Sequence, residues 1–239
     1  MTKEIMYNEL AKYYDLLYSW KDYKKESNEV LKVIKKFKRN NGKKLLDVAC
    51  GSGKHLEYFQ KIYRCTGTDI NKGILNEAKK RLPKITFKVA DMRRFNMHEK
   101  YDVVTCLFSS IGYVTDIKGL KNSIKNFSEH LNTGGVLLIE PWIEKKTWET
   151  RSNHMTTYNS EDIKIARLHV AERKGNLSIM NFHYLIADKD KIIYKIDKNV
   201  MLLLTHKELI SLMRKNGLKT YKYTKGEFSG RALLVGVKP

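Results

Sequence analysis

The sequence predicts an α/β fold, a doubly wound and mostly parallel sheet that carries a small antiparallel β insertion. Short apolar runs alternate with helical patterns through residues 44–140, and this alternation is typical of βαβ units. After residue 142, strand patterns follow one another with no helical pattern between them, as in antiparallel hairpins. A length of 239 residues, 42% of them hydrophobic, suits one domain with a sizeable core.

The predicted elements begin with two helices, because apolar residues recur at helical spacing in residues 10–17 and 30–37. Asn40, Asn41 and Gly42 end the second helix. Apolar runs then mark strands that are buried on both faces. We expect core strands at 44–49, 65–69, 85–89, 101–107 and 136–140, with helices at 55–62, 71–82 and 117–131.

The insertion is predicted as three strands, at 163–173, 177–187 and 192–204, with turn-forming residues between them. Thr205 then caps a helix that runs to Asn216, with Glu208 as its capping-box partner. Two closing strands are expected at 219–224 and 231–237. The predicted organisation is N-terminal helices and the main core in 1–142, the insertion in 143–204, and the closing helix and strands in 205–239.

Composition excludes several classes of protein. The mean hydropathy is −0.50, and no apolar run reaches the length of a transmembrane helix, so no membrane association is expected. The first twenty residues lack the apolar segment of a secretory signal. The three cysteines form no C-x-x-C pair and the seven histidines no H-E-x-x-H motif, which predicts neither disulfides nor a metal site. We therefore expect a cytoplasmic protein.

The charge of the chain is strongly positive, with 46 Lys and Arg against 26 Asp and Glu and a net charge of +20. Such a charge favours an anionic partner, which could be nucleic acid, a nucleotide or a phosphorylated substrate. The basic residues are scattered along the chain, so a lysine-rich, solvated surface explains them as well. Charge by itself concerns solubility and steering rather than fold.

The strongest functional signal is the run from Asp47 to Gly53, DVACGSG, at the end of the first predicted strand. Gly51 and Gly53 allow the backbone to approach a ligand closely. The dinucleotide fingerprint G-x-G-x-x-G is not met, because Leu56 stands where its third glycine would be. This pattern favours an adenosine cofactor smaller than a dinucleotide.

Acidic residues follow the next two strands. Asp69 ends the second strand, where a carboxylate can accept hydrogen bonds from both ribose hydroxyls or can merely cap the next helix. Asp91 and Met92 follow the third strand. A carboxylate there can accept from the amino group of adenine, and the backbone N–H of Met92 can donate to a ring nitrogen.

These motifs resemble those of the class I S-adenosylmethionine-dependent methyltransferases. DVACGSG is similar to their first motif, GTDI to the ribose-binding acid, ADM to the adenine contact, and YDVVTCLFSSIGY and LNTGGVLLIEPW to the motifs of the fourth and fifth strands. The resemblance implies a Rossmann-like sheet of seven strands with an antiparallel last strand. It also implies S-adenosylmethionine as cofactor and S-adenosylhomocysteine as product.

A narrower resemblance extends over nearly the whole chain, to the N,N-dimethyltransferases of dTDP-amino sugars of the desosamine and mycaminose type. It is carried by YD at 14–15, KDY at 21–23, LLDVACGSGKHL, CLFSSIGY, IEPW and the SGR that precedes LLVGV. It implies methyl transfer to the amine of a dTDP-linked amino sugar, with the insertion forming the sugar-nucleotide pocket. Two positions depart from this group, since Tyr113 stands where it typically has His and Asp69 where it often has Glu.

The resemblance also implies roles for single residues. Contacts to the cofactor are expected from Tyr14, Tyr23, Asp47, Ala49, Gly51, Gly53, Asp69, Ile70, Asp91, Met92 and Leu107. Tyr14 and Tyr113 are the candidate catalytic residues. Contacts to the substrate are expected from Tyr113, Glu140, Trp142 and Arg231. The guanidinium of Arg231 suits a pyrophosphate through bidentate hydrogen bonds.

Structural alternatives stand beside these roles. Tyr14 and Tyr23 could serve only helix packing, Tyr113 could cap a helix or fill the core, and Arg231 could form a surface salt bridge. A phenol is also a poor base near neutral pH, although the oxygen of Tyr113 could still orient an amine.

Polar residues of the insertion are expected to face water rather than to line a pocket. Arg167 and His169 share one strand face, and Asn181 and His183 share a face of the next strand. Cys106 lies inside a predicted strand and is interpreted as a buried structural thiol.

Two other functions are weighed against methylation of an amino sugar nucleotide. Methylation of a free amine or amino acid, such as glycine, fits the departure at Tyr113. A nucleic-acid methyltransferase fits the charge of +20. However, enzymes that methylate the amino groups of bases often carry (Asp/Asn)-Pro-Pro-(Tyr/Phe) after the fourth strand, where this chain has FSSI at 108–111. Formation of a homodimer is left open.

Overall fold

The computed structural model describes residues 4–148 and 153–239. Their helices are α1 (Ala11–Leu17), α2 (Tyr23–Phe37), α3 (Leu56–Phe59), α4 (Lys72–Arg81), α5 (Ile117–Glu129) and α6 (His206–Lys215). Their strands are β1 (Lys44–Val48), β2 (Arg64–Asp69), β3 (Thr86–Val89), β4 (Tyr101–Cys106), β5 (Leu131–Ile139), β6 (Asn153–Asn159), β7 (Ile163–Lys174), β8 (Leu177–Asp188), β9 (Lys191–Leu202), β10 (Lys219–Tyr223) and β11 (Leu233–Val237).

The main sheet has seven strands in the order β10-β11-β5-β4-β1-β2-β3. The pairs from β5 to β3 are parallel, whereas β11 runs antiparallel to both β5 and β10. The carboxyl ends of β1, β2, β3 and β4 therefore open onto one edge of the sheet, where ligands of open α/β sheets bind. The predicted fold class, including its antiparallel last strand, is confirmed.

The core lies on both faces of this sheet. Leu45 packs with apolar residues of α2, α3 and α4, and Leu46 with those of α5 and α6. Side chains alternate between the faces along a strand, so successive leucines serve different layers. This double-sided burial explains why the strands form uninterrupted apolar runs. Cys50, Cys65 and Cys106 are free and buried.

A separate antiparallel sheet has the strand order β6-β7-β8-β9. The prediction of three strands was incomplete, because β6 was missed. This edge strand is mostly exposed and reads NHMTTYN, without the apolar alternation that marks a strand. We call residues 4–10, which precede α1, the N-terminal segment. The inner face of this sheet is the one whose Ile165, Tyr184 and Ile186 pack against the N-terminal segment and α1.

Most predicted boundaries agree with the structure, and three differ. The helix predicted at 55–62 is a single short turn, α3, and the helix predicted to end at 131 ends at 129. The strand predicted to begin at 136, β5, begins at 131. The capping box at α6 is present, since the Thr205 hydroxyl accepts from the Glu208 N–H while the Glu208 carboxylate accepts from the Thr205 N–H. None of the helices in the described residues has the length and apolar character that spanning a bilayer requires.

Candidate active site

A cavity of about 310 Å³ opens at the carboxyl edge of the main sheet, and this volume lies within the range of small-molecule pockets. Three parts of the chain line it. The loops that follow β1 to β4 form its floor, the N-terminal segment with α1 covers it, and the inner face of the antiparallel sheet closes one side. The cavity therefore joins segments that lie far apart along the chain.

Most of the residues singled out from the sequence line this cavity. They are Tyr14, Tyr23, Asp47, Ala49, Gly51, Asp69, Ile70, Asp91, Met92, Leu107, Tyr113 and Trp142. Gly53, Glu140 and Arg231 do not belong to the lining. Other contacts of the protein keep each of these three residues away from the cavity, as described below.

The loop after β1 uses its two glycines in different ways. Gly51 adopts a φ of +55°, and a Cβ added to it would meet no atom within 4 Å, so the space beside it is open to a ligand. Gly53 adopts a φ of +78°, and a Cβ there would lie 3.3 Å from Leu82 and 3.5 Å from Ala78. Gly53 therefore shapes the turn and packs against α4 rather than facing the cavity.

Asp69 is held in place by the backbone. One carboxylate oxygen accepts from the Gly51 N–H at 3.0 Å and the other accepts from the Asn71 N–H at 2.9 Å. Burial raises the pKa of Asp69 against the lowering effect of these hydrogen bonds. Each oxygen keeps a further lone pair, so the carboxylate can still accept from two hydroxyl groups.

Asp47 and Asp91 differ in their surroundings. Asp47 is deeply buried and accepts a hydrogen bond from the Thr105 hydroxyl at 2.7 Å. Burial raises the pKa of Asp47 to about 6, although His55 and the Thr105 hydrogen bond act to lower it. Asp91 accepts from the guanidinium of Arg93 at 2.6 Å, and this contact lowers its pKa. Asp91 is therefore ionised, and its charge is already paired with the guanidinium of Arg93.

Aromatic rings from the N-terminal segment and α1 cover the cavity. The ring centroids of Tyr7 and Tyr14 are 5.5 Å apart, and those of Tyr14 and Tyr18 are 4.8 Å apart. Tyr18 also meets Phe108 edge to face at 5.2 Å. Tyr7 and Tyr18 were missed from the sequence. Tyr18 follows Tyr14 by one helical turn, at the end of α1, whereas Tyr7 lies in the turn before α1, where no helical spacing marks it.

Tyr113 ends a 3₁₀ turn, Ser110–Tyr113, that follows β4. Its hydroxyl donates to the Asn199 Oδ1 at 2.9 Å and lies 2.8 Å from the hydroxyl of Tyr7. Burial raises the pKa of Tyr113 well above its usual value, so the side chain is a neutral phenol. Asn199 was not singled out from the sequence.

A group of ionisable side chains lies beside the loop after β1, and all of them are buried except Arg231, which is 41% exposed. We call Lys21, Glu26, His55, Glu140 and Arg231 the Glu26 cluster. Glu26 binds His55 Nε2 at 2.7 Å, pairs with Lys21, and lies 3.4 Å from the Arg231 guanidinium. Arg231 also pairs with Glu140 at 2.6 Å. The cluster joins α2, the start of α3, the end of β5 and the segment before β11.

The expected substrate contacts of Glu140 and Arg231 are not supported by this geometry. Arg231 turns its guanidinium to two carboxylates of the protein, which leaves it off the cavity wall. Glu140 is fully buried and also accepts from the Phe108 N–H at 2.7 Å. Sequence spacing could not reveal these pairs, because Glu26, Glu140 and Arg231 lie more than ninety residues apart.

Arg167 reverses the expectation that the polar residues of the insertion face water. It lines the cavity, donates to the Tyr18 hydroxyl at 3.0 Å, and lies 5.1 Å from the Phe182 ring. His169, on the same face, packs its ring 4.4 Å from Phe182. Asn181 and His183 are exposed, as expected.

The chain is similar to known methyltransferases along nearly its whole length. Residues 45–135 match the family model described as a methyltransferase domain. The dTDP-3-amino-3,4,6-trideoxy-alpha-D-glucopyranose N,N-dimethyltransferase of Streptomyces venezuelae is 34% identical over 231 residues, which cover 95% of this chain and 97% of that protein. The chain belongs to the family of dTDP-amino-sugar N,N-dimethyltransferases.

Solved structures of the family show the same relation. DesVI of Streptomyces venezuelae matches with a TM-score of 0.89 at 32% identity, covering 96% of this chain and 98% of that one. CalS10 of Micromonospora echinaspora, an amino pentose methyltransferase with S-adenosylmethionine bound, matches with a TM-score of 0.81 at 27% identity, covering 92% of each chain. The chain is an S-adenosylmethionine-dependent methyltransferase like these relatives.

The described residues fit the cofactor of the family. The open space at Gly51 admits a ligand against the backbone, and the two fixed oxygens of Asp69 suit the two hydroxyls of a ribose. Ile70, Met92 and Leu107 add apolar lining nearby.

The Glu26 cluster predicts a strong effect of Glu26→Gln on stability. The substitution leaves the buried Lys21 without its anion, so we expect the free energy of unfolding to fall by about 3 kcal/mol at pH 7. Burial by itself would raise the pKa of Glu26, but His55 and Lys21 lower it to about 2. The contribution of a carboxyl with a lowered pKa is present above its unfolded pKa near 4.5 and is lost as pH falls towards 2.

Urea unfolding of the wild type and Glu26→Gln at several pH values measures this effect, and the difference between them should shrink below pH 4.5. The control is Glu77→Gln, which removes a surface pair with Lys80 and should cost at most about 1 kcal/mol. Equal losses for the two variants would contradict a special role of the cluster.

Proposed function

We propose that the protein transfers methyl groups to the amine of a dTDP-linked amino sugar. The observation that carries this proposal is a single cavity with two chemically different sides. One side, at the loops after β1, β2 and β3, presents Gly51, Asp69 and Asp91. The other side, on the antiparallel sheet, presents the cation of Arg167 among aromatic rings.

We assign the first side to the cofactor. Asp69 would bind the ribose, the segment at Asp91 and Met92 the adenine, and Asp47 with Gly51 the methionine end. When bound, S-adenosylmethionine would supply an activated methyl group, carried on a sulfonium, for transfer to the lone pair of a neutral amine. Tyr14 and Tyr23 cover this side and would exclude water from it.

We assign the second side to the sugar nucleotide. Arg167 donates to the hydroxyls of Tyr18 and Thr156, and its Nε has no hydrogen-bond partner among the described residues. Both hydroxyl partners are uncharged, so the guanidinium keeps its charge for an anionic ligand. A pyrophosphate offers the oxygens that a guanidinium binds best. Arg167 thereby takes the role that the sequence suggested for Arg231.

This assignment divides the chain as the sequence predicts. Residues 1–142 would supply the cofactor side, and residues 143–204 most of the substrate side. Residues 205–239 do not line the cavity and would complete the core. A free amine would leave the cation of Arg167 without an anionic partner, whereas an amino acid such as glycine would offer it only a single carboxylate. A nucleic acid fits poorly, because this cation lies inside an aromatic cavity rather than on an open surface.

Binding and turnover test the proposed acceptor directly. With S-adenosylhomocysteine present, dTDP should raise the melting temperature more than UDP or ADP at equal concentration in moderate salt. Mass spectrometry should then detect one or two added methyl groups on a dTDP-amino sugar and none on glycine. Stabilisation by S-adenosylhomocysteine without any selectivity for dTDP would contradict the sugar-nucleotide acceptor.

Arg167→Met should weaken substrate binding rather than chemistry. Loss of a charged hydrogen-bond donor predicts a rise of about tenfold or more in KM for the dTDP-amino sugar, with a much smaller change in kcat. The KM of Arg167→Lys should lie between those of the wild type and Arg167→Met. The matched control is Arg173→Met, at the exposed end of the same strand. An unchanged KM in Arg167→Met would remove Arg167 from the substrate side.

We also propose that two copies associate through the outer face of the antiparallel sheet. The register places Met155, Leu168 and Ile196 in one row across this face, with the exposed His183 between the last two, and Leu185 and Tyr194 in the next. These apolar side chains are all about half exposed or more. A cluster of exposed apolar side chains on one face of a sheet is typical of an interface, and two-fold symmetry lets the same patch serve both copies.

Leu168→Glu should convert a dimer into a monomer, because it places a charge in the middle of that patch. Size-exclusion chromatography with light scattering measures the mass. Ile62→Glu is the control, since Ile62 is similarly exposed but lies outside the antiparallel sheet. A monomeric wild type would contradict the association.

A further inference from the structure

Three polar side chains form a hydrogen-bonded chain in the cavity wall. Tyr7 comes from the N-terminal segment, Tyr113 from the 3₁₀ turn after β4, and Asn199 from β9. The Tyr113 hydroxyl lies 2.8 Å from the Tyr7 hydroxyl and 2.9 Å from the Asn199 Oδ1. We call these three residues the Tyr113 station.

The direction of these hydrogen bonds follows from the chemistry of the groups. A phenol carries one proton, and an amide oxygen can only accept. Tyr113 donates its proton to Asn199, so the proton in the contact with Tyr7 must come from Tyr7. The Tyr113 oxygen then has no proton to donate to a ligand. It can only accept a hydrogen bond from the ligand.

An unpartnered amide nitrogen on Asn199 indicates that this part of the cavity wall binds a ligand. Asn199 is 3% exposed and lies on β9 across from Met180, in the inner face of the sheet. Its Nδ2 has no hydrogen-bond partner in the described residues, although the residue lines the cavity. A buried amide without a partner costs free energy unless a bound molecule satisfies it.

An acceptor-only oxygen suits methylation of an amine. A free hydroxyl would donate into the lone pair of the amine and withdraw it from reaction, whereas an acceptor binds an N–H and leaves the lone pair available. We propose that Asn199, with Tyr7, holds Tyr113 in this acceptor-only state so that Tyr113 orients the substrate amine. Asn199 is thus a positioning residue, a role that rests on the proposed function.

A double-mutant cycle tests this role. Asn199→Leu frees the proton of Tyr113 to bind the amine lone pair, so kcat should fall about tenfold with little change in KM. In the Tyr113→Phe background there is no proton to free. There, Asn199→Leu should change kcat by less than about twofold. If the leucine variant does not fold, Asn199→Ala replaces it in the same cycle.

The control is Lys198→Leu, which places the same residue on the opposite, exposed face of β9 and should keep the wild-type kcat. Stabilisation by S-adenosylhomocysteine reports whether each variant keeps its cofactor site. Equal losses of kcat from Asn199→Leu in both backgrounds would mean that Asn199 acts by packing. That result would overturn the positioning role of Asn199 and leave the proposed function standing. A wild type that methylates no dTDP-amino sugar would overturn the proposed function and the station together.

Discussion

The buried carboxylate of Glu26 is the interaction on which the arrangement around the active site depends. A buried charge is costly unless every partner is in place, and Glu26 has partners from three separate segments, Lys21, His55 and Arg231. Arg231 in turn neutralises Glu140 at the end of β5. Because the charges are satisfied only together, the cluster fixes α2, the loop after β1 and the C-terminal segment relative to one another. The cluster therefore holds the loop after β1, which lies on the floor of the cavity, against α2 and the C-terminal segment.

The cover of the cavity depends on the N-terminal segment in a similar way. Met6 donates its backbone N–H to Asp197 on β9, and the carbonyl of Tyr7 accepts from Ile74 on α4. Gly73 leaves room for this approach, since a Cβ there would lie 2.5 Å from the backbone of Asn8. The segment thus ties the antiparallel sheet to the main core. The contacts of Met6 and Tyr7 therefore position both sides of the cavity and the Tyr113 station between them.

Arg167 and Arg231 show how burial and pairing decide what an arginine does. Arg231 faces two carboxylates, so its charge serves the fold. Arg167 faces neutral hydroxyls and rings, and these neighbours do not neutralise its charge. The two residues carry the same guanidinium, and the sequence suggested the opposite roles, Arg231 to bind a ligand and Arg167 to face water. The difference lies wholly in which side chains the fold brings to each.

The sequence by itself determined the alternating core, the loop from Asp47 to Gly53, the acids at Asp69 and Asp91, and the family. These features are local, because strand and helix periods and the spacing of a ligand loop are read within a few residues. Only the tertiary structure decided the pairing of Arg231, the inward direction of Arg167, the edge strand β6 and the partnership of Asn199 with Tyr113. Each of these joins residues that are distant in the chain or lacks a local pattern, so it exists only once the two sheets and the N-terminal segment have packed together.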